Sequence, residues 1–499
     1  MGHDRLGLDS LGSKGLGPQC VRDADQLAIE PSSLHAADVF RGGLLGLIAA
    51  LVPVVALWGY TVDDALVTAR MAHHLAIGVG YRFNADGPVV DAVTPLGYAH
   101  LLAPFARHGC LDAWQAARWI GVATWLGAAS WLGLEVARAG CARWRWAALV
   151  PLASCAPIAA WVGSGMETGI VTALATVALG RSLWWLSAAG LAAAWRPELF
   201  PWAVVLAVGK VVVAGEWPRG LLQALSLAAV PLVLVTLVRF VCFGSPTPLA
   251  VLAKPSDLQH GVLYAAGALL WTGLPVLAIA PHALRRAPRA MVLVVAFVAH
   301  LFALVAAGGD WMALFRLVVP TLPSLVLVGA LAAEHGAWWA TVTRVTIASA
   351  IGGYLFAGLG PAAREVAGHR LRLIEQAAPL LDGARRVAAA DVGWVGAATS
   401  AHVVDLAGIT DPTIATLPGG HTTKQISPDL LRRRDVDHVV LLLAPGVDPG
   451  ESWGRLGFAK GVDARVAAEA AAEGYRLEAA VPLGGTRQSY LVVSRPDAE

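Results

Sequence analysis

The chain has 499 residues, of which 57% are hydrophobic and 14% charged, with a mean hydropathy of +0.61. Soluble domains carry about 25% charged residues, so this composition excludes an ordinary soluble protein and places the chain in a membrane. A net charge of +2 leaves no basic footprint for a nucleic-acid partner.

Residues 1–41 read as a disordered cytoplasmic tail, since the stretch up to residue 38 is polar and Gly-rich and lacks an apolar segment followed by a cleavage site. Apolar runs of about 20 residues, each long enough to span hydrocarbon, then recur up to residue 359. The expected spans, eleven in all and several of them short, are 42–60, 113–137, 147–162, 168–181, 183–194, 199–215, 221–242, 262–282, 290–307, 314–333 and 338–359, with 95–106 a re-entrant or interfacial segment. The runs are continuous rather than alternating, which predicts helices and not a barrel. Residues 42–360 are therefore expected to form a polytopic α-helical membrane domain with a loop at 61–112 on one face.

With that loop placed outside, Arg138, Arg143 and Arg145 fall on the same side as Arg285, Arg286 and Arg289, and the positive-inside rule makes that side cytoplasmic. Beyond residue 360 the pattern changes. VAAADVGWVG, HVVDLAG, DHVVLLLAPG and SYLVVSR are short β-branched runs that predict strands, while LDGARR, DLLRRRD and DARVAAEAAAEG predict helices. Residues 361–499 thus read as a soluble extracytoplasmic α/β domain. The five cysteines show no metal-type spacing and no disulfide framework.

The polar motifs of unusual composition collect opposite the Arg-rich loops. The first is Asp63 and Asp64, after the first span. Thr61 can cap a helix beginning at Val62 or Asp63 and the acids suit its first turn, yet capping accounts for one carboxylate more readily than two. The next segment, ALVTARMAHHLAIGVG, is amphipathic and expected to lie in the interface; its Arg70 joins the substrate-binding candidates. Glu167 in GSGMET is either an acid at a helix start or a site residue, and Arg196 and Glu198 in WRPEL are expected to pair with each other; all three, with Asp310, Lys254 and Arg316, join Arg70 as candidates for binding the donor phosphate or substrate. Lys254, after FGSPTPLAVLA, is either a snorkelling cation or a ligand-binding one. Asp310 and Arg316 stand in GGDWMALFR; in a helix starting near Trp311 the arginine would be costly unless paired. His402, His421 and Lys424 in the tail read as surface residues. Carboxylates that can activate an acceptor hydroxyl, with cations that can hold a phosphate, suit glycosyl transfer from a lipid-linked phosphosugar.

Taken in order, YTVDDALVTARMAHHLAIGVGYRFN, TPLGY, GSGMETGI, WRPEL, FGSPTPLAVLAK, GGDWMALFRLVVPTLP and DVGWVGAATSAHVVDLAGITDP resemble the motif series of GT-C fold polyprenyl-phosphosugar glycosyltransferases. The likeness is greatest to the membrane arabinofuranosyltransferases that add terminal β-1,2 residues in mycobacterial cell walls, and it covers about residues 42–440. The resemblance implies an inverting transferase of the bacterial plasma (inner) membrane with an extracytoplasmic site. Its donor would be a polyprenyl-phosphate-linked arabinofuranose or related sugar, and its acceptor a glycan or glycoconjugate. By that likeness Asp63 or Asp64 is the general base, and Lys254 and Arg316 lie near the donor phosphate. No cofactor is expected to be obligatory; Asp63, Asp64 and Glu167 could ligate a divalent metal, which is not expected to be required. The rival reading, a transporter or flippase of lipid-linked saccharide, places the same charges near the bilayer midplane.

Overall fold

The computed structural model describes residues 36–449 and 452–496, so most of the expected tail at 1–41 lies outside the described residues. The described chain is mostly helical, with a small sheet near its C-terminus. Five helical segments are long and apolar enough to cross a membrane: Ala36–Ala56, Cys110–Ala137, Leu221–Phe243, Pro288–Ala307 and Trp338–Leu380. A sixth arises if Arg143–Ser154 and Ala156–Val162, bent by 60°, count as one span. This differs from the eleven expected. Other apolar runs fold as shorter helices, among them Thr168–Val177, Phe200–Val213 and Leu258–Trp271. A hydropathy window counts apolar content but not the Pro and Gly residues that cut these runs.

Small residues let the first helices approach closely. Gly42 and Gly46 on Ala36–Ala56 face Ala129 and Gly133 on Cys110–Ala137. A Cβ at Gly46 would stand 2.1 Å from the Ala129 carbonyl oxygen, so this small-xxx-small pair is held by backbone contact. Leu221–Phe243, by contrast, turns Val233, Leu234, Leu237 and Phe240 outward and buries only 11% of its most apolar window, as a lipid-facing helix would.

The same helices carry opposite chemistry at their two ends. Glu167 precedes Thr168–Val177, Arg196 and Glu198 precede Phe200–Val213, and Asp310 follows Pro288–Ala307. At the other ends lie Ala178–Ser182, Lys210 and Arg289. There the buried Glu135 takes Arg138 at 2.9 Å and Arg289 at 2.6 Å, while Lys210 Nζ donates to the Ala178 and Gly180 carbonyls. Arg138 and Arg289, from the two basic loops, therefore meet at one end of the bundle and the acidic motifs stand at the other.

The C-terminal sheet has the order β2-β1-β3-β5-β4: β1 (Arg386–Ala389) runs parallel to β2 (His402–Asp405) and β3 (His438–Leu442), and β5 (Gln488–Ser494) is antiparallel to β3 and β4 (Arg476–Leu483). The predicted strands are found at β1, β2, β3 and β5. GWVG, however, lies in the helix Val392–Ala398, LDGARR is a turn leading into β1, and β4 was not anticipated. Helices do form at Leu430–Arg433 and Gly461–Ala472.

This α/β region shares a core with the helices. Val387, Val392, Trp394, Val395 and Val403 belong to the same buried cluster as Leu66, Trp125 and Trp161. The helix Asp63–Ala76 lies between the two and buries Ala65 to Ala72, so it is an internal element rather than the expected interfacial one. Thr61 does not cap it. Its hydroxyl instead donates to the Ser164 carbonyl at 2.8 Å and accepts from Trp114 Nε1 at 3.0 Å, a long-range demand that local capping preference cannot override.

Candidate functional site

Asp63 and Asp64, adjacent in the first turn of Asp63–Ala76, point to different partners. Asp63 Oδ2 accepts the Gly393 amide at 2.8 Å, its Oδ1 accepts the Trp394 amide at 2.9 Å, and Arg370 stands 3.7 Å away. Burial pushes this carboxyl up to about 6, against the opposing pull of Arg370 and the two amides. The carboxylate is thus committed to docking the α/β region. The approach is close: a Cβ at Gly393 would lie 2.1 Å from the Asp63 carbonyl oxygen and 2.8 Å from Oδ2. Gly393→Ala is therefore expected to destabilise by about 1–3 kcal/mol through overpacking, read as a lower thermal midpoint in detergent; an unchanged midpoint would show that the contact is slack.

Arg70 serves the same junction. Its guanidinium is buried and donates to the carbonyls of Phe83, Gly396, Thr399 and Ala401 at 2.6–3.0 Å. All these contacts are to backbone, so the structure places Arg70 in the junction and away from the charge cluster where it was expected. Asn84 adds a reciprocal pair to the backbone of Val403, 2.9 Å each way.

Asp64 faces the cluster. Its Oδ2 is 3.8 Å from Lys254 Nζ and 4.0 Å from Arg316 NH1, and Asp64 and Lys254 side chains are each 24% exposed. Arg316 is nearly buried and donates from Nε to Asp310 Oδ2 at 2.8 Å. Burial alone would raise the Asp310 carboxyl, but Arg316, Lys254 and Arg196 outweigh it and hold it below the usual carboxylate range. Asp310 therefore remains a carboxylate and fixes one edge of the guanidinium, while NH1 turns toward Asp64.

Deeper in the bundle, Glu167 ion-pairs with Arg196, which also reaches Glu198 at 3.7 Å. The pairing expected between Arg196 and Glu198 is thus present, with Glu167 the nearer partner. Glu167 is 1% exposed and neither of its oxygens accepts a well-directed hydrogen bond.

The backbone that carries Arg316 is not the helix anticipated from Trp311 onward. It is a break with a short 3-10 turn at Ala313–Phe315, in which Leu314 (φ 60°) and Phe315 (φ 52°) adopt left-handed conformations. Such residues cost about 1–2 kcal/mol each and persist where surroundings over-determine them. Here Trp161 Nε1 donates to the carbonyls of Ala313 and Leu314, the Tyr264 hydroxyl accepts the Leu317 amide at 2.9 Å, and the buried His300 ring bridges the carbonyls of Glu198 and Leu317. The Trp161 ring also lies 5.5 Å from the Arg316 guanidinium carbon, within cation–π range. Trp161, Tyr264 and His300 were not singled out in the sequence, where each reads as an aromatic of an apolar helix.

The α/β region closes over this end. The short helix Leu249–Ala253, which delivers Lys254, packs against Ala415, and Lys424 Nζ holds the carbonyls of Ala415 and Leu417 at 2.8 and 2.9 Å. His421, read as a surface residue, is half-buried with its ring 6.3 Å from that of Trp311. Burial, reinforced by Lys254, pushes His421 down to about 4. Between pH 6.5 and 4 the unfolded chain thus takes up a proton that folded His421 does not, and stability falls as pH falls through that window. His421→Gln is expected to flatten that part of the thermal-midpoint curve; an unaltered pH profile would contradict the neutral assignment.

Among the described residues no group of three or more His, Cys, Asp or Glu is gathered as a metal site. Of the oxygen donors considered for a divalent ion, Asp63 is committed to the junction and Glu167 to Arg196. The cluster left at the rim is a water-accessible carboxylate between two cations, able to accept a proton beside a group that binds an oxyanion. A family model described as "Domain of unknown function (DUF8728)" matches residues 364–493, the segment that carries the sheet and His421. No curated protein and no solved structure matches the chain.

Proposed function

We propose that the chain is an inverting glycosyltransferase that moves a sugar, arabinofuranose in the first instance, from a polyprenyl-phosphate donor to a hydroxyl of a cell-envelope glycan or glycoconjugate. The observation that carries this reading is the half-open Asp64 carboxylate 3.8 and 4.0 Å from Lys254 and Arg316. Both separations exceed a hydrogen bond, so a donor phosphate competes for the cations at small cost and leaves Asp64 to the acceptor.

In the reaction the acceptor oxygen attacks the anomeric carbon while Asp64 takes the hydroxyl proton. The bond from that carbon to the phosphate oxygen breaks, its electron pair stays with the leaving polyprenyl phosphate, and Lys254 and Arg316 hold the charge. A single displacement without a sugar–protein bond inverts the configuration. Val251, Leu252 and Leu258 are exposed beside Lys254 and offer an apolar surface for an isoprenoid chain. Because Arg138 and Arg289 meet at the far end of the bundle, the positive-inside rule favours an extracytoplasmic site. The position of the charges at helix ends supports a transferase over a flippase, which would carry them near mid-length.

Lys254→Ala removes one charge-assisted contact worth about 1.5–3 kcal/mol. It is expected to raise KM for the polyprenyl-phosphate donor at least about tenfold and leave KM for the acceptor unchanged. A rise confined to the acceptor KM would contradict the assignment of Lys254 to the phosphate.

A further inference from the structure

The turn that presents Asp310 to Arg316 also presents Trp311. Gly308 and Gly309, both in left-handed conformations, swing the chain out of Pro288–Ala307, and a Cβ at Gly309 would press on Tyr264 at 2.7 Å. Trp311 emerges 64% exposed. One face of its indole is covered by His260, stacked at 3.9 Å and 10°, and the His260 ring is itself tied through Nε2 to the Asp310 carbonyl at 3.2 Å. The indole is thus a rigid plate fixed by the residue that fixes Arg316. From the α/β region His421 approaches this plate at 6.3 Å, tilted by 58°.

A large exposed aromatic costs its apolar surface to water unless something covers it. The groups around this one select the cover. His421 is held neutral among Lys254, Asp64, Asp310 and Lys460, and Lys460 pairs with Asp391 at 2.5 Å. The indole thus presents one flat apolar face, with the His421 imidazole beside it and the Asp310 turn at its edge. A sugar ring has matching chemistry: axial C–H groups that stack on an aromatic plane and hydroxyls at its edge for imidazole and carboxylate. A lipid chain would satisfy the indole but leave the His421 ring and the Asp64 carboxylate, whose ion pairs at 3.8 and 4.0 Å are too long to be hydrogen bonds, without a hydrogen-bond partner.

We propose that Trp311, backed by His260, and His421 form a saccharide subsite that stacks the acceptor's sugar ring beside Asp64. This rests on the transferase reading and supplies its acceptor side: the α/β region contributes His421 to a site whose donor cations come from the helices. Trp311 and His421 are binding residues here, and neither takes part in proton or sugar transfer.

The test is saturation-transfer NMR on the full chain in nanodiscs, with methyl α-D-arabinofuranoside and methyl α-D-mannopyranoside as probes. Wild type is expected to transfer saturation to ring C–H protons of at least one probe. Trp311→Ala is expected to weaken that binding about tenfold and Trp311→Phe, which keeps an aromatic face, far less; His421→Ala should weaken it with the fold retained. Asp64→Asn should lose turnover yet still bind the glycoside, weaker by no more than the one hydrogen bond its carboxylate gives, about tenfold at most, which separates the subsite from the chemistry. Retained turnover in Asp64→Asn would overturn the base assignment and leave the subsite standing. Unchanged glycoside binding in Trp311→Ala, or binding of neither probe by wild type, would overturn the subsite. So would a Trp311→Ala protein that binds the glycoside normally but no longer incorporates stably into nanodiscs, since the ring would then be an interfacial anchor.

Discussion

Asp64→Asn is expected to fold as wild type does and to lose sugar transfer by about 10²–10⁴-fold, the range for a general base. The fold should tolerate the change because Asp64 is partly exposed and its two ion pairs are long; such pairs contribute up to about 1 kcal/mol and an amide fills the same space. The neighbouring Asp63→Asn should behave in the opposite way. It removes a carboxylate that holds two amides and Arg370 at the junction with the α/β region, so it should lower the thermal midpoint before it touches chemistry. Initial rates with a labelled polyprenyl-phosphate donor, set beside thermal midpoints in detergent, separate the two outcomes. Undiminished turnover in Asp64→Asn would remove it as the base.

Arg316→Gln is expected to be the most damaging single change at the site, with a loss of about 3–5 kcal/mol in stability, the cost of leaving a buried charge without its partner. Asp310, which Arg316 holds at 2.8 Å, would keep its burial and lose its strongest counter-charge. The double variant Asp310→Asn with Arg316→Gln replaces the ion pair by two neutral amides and should recover most of that stability while turnover stays lost. The contrast matters because a purely structural Arg316 would give back activity along with stability. If the double variant transfers sugar at the wild-type rate, Arg316 has no part in holding the donor.

The sequence made the cluster itself readable. Asp64, Lys254, Asp310 and Arg316 stand in motifs separated by more than fifty residues in all but one case, yet each is a charge at the end of an apolar run, and ends on one side meet. What pairs with what was less legible. Arg196 has Glu198 two residues away, but its closer partner is Glu167, which no local rule reveals. Arg70 has the look of a ligand-binding cation, and only folding supplies the four carbonyls that absorb it. The two aspartates could not be told apart because their difference lies in Gly393, 330 positions away.

Topology suffered from a different cause. Residues 147–162 read as one span, and Arg143–Ser154 with Ala156–Val162 covers them, but the two are bent by 60° at Cys155, where Pro157 opens the second helix. The segment around Arg316 reads as a continuing helix, whereas Trp161, Tyr264 and His300 hold it in a strained turn that aims the guanidinium. In the α/β region β4 escaped notice because RLEAAVPL carries Glu478, Ala479, Ala480 and Pro482, all poor strand signals; pairing with β5 decides it.

The most direct measurement incubates the purified chain in nanodiscs with polyprenyl-phosphoryl arabinofuranose and a glycan acceptor, and follows both products by mass together with the anomeric configuration by NMR. The expected result is an acceptor heavier by one pentose, an equimolar amount of free polyprenyl phosphate, inverted configuration at the transferred carbon, and none of these with Asp64→Asn. Retained configuration, or lipid-linked sugar moved across the nanodisc-free bilayer of a vesicle with no pentosylated acceptor formed, would contradict it.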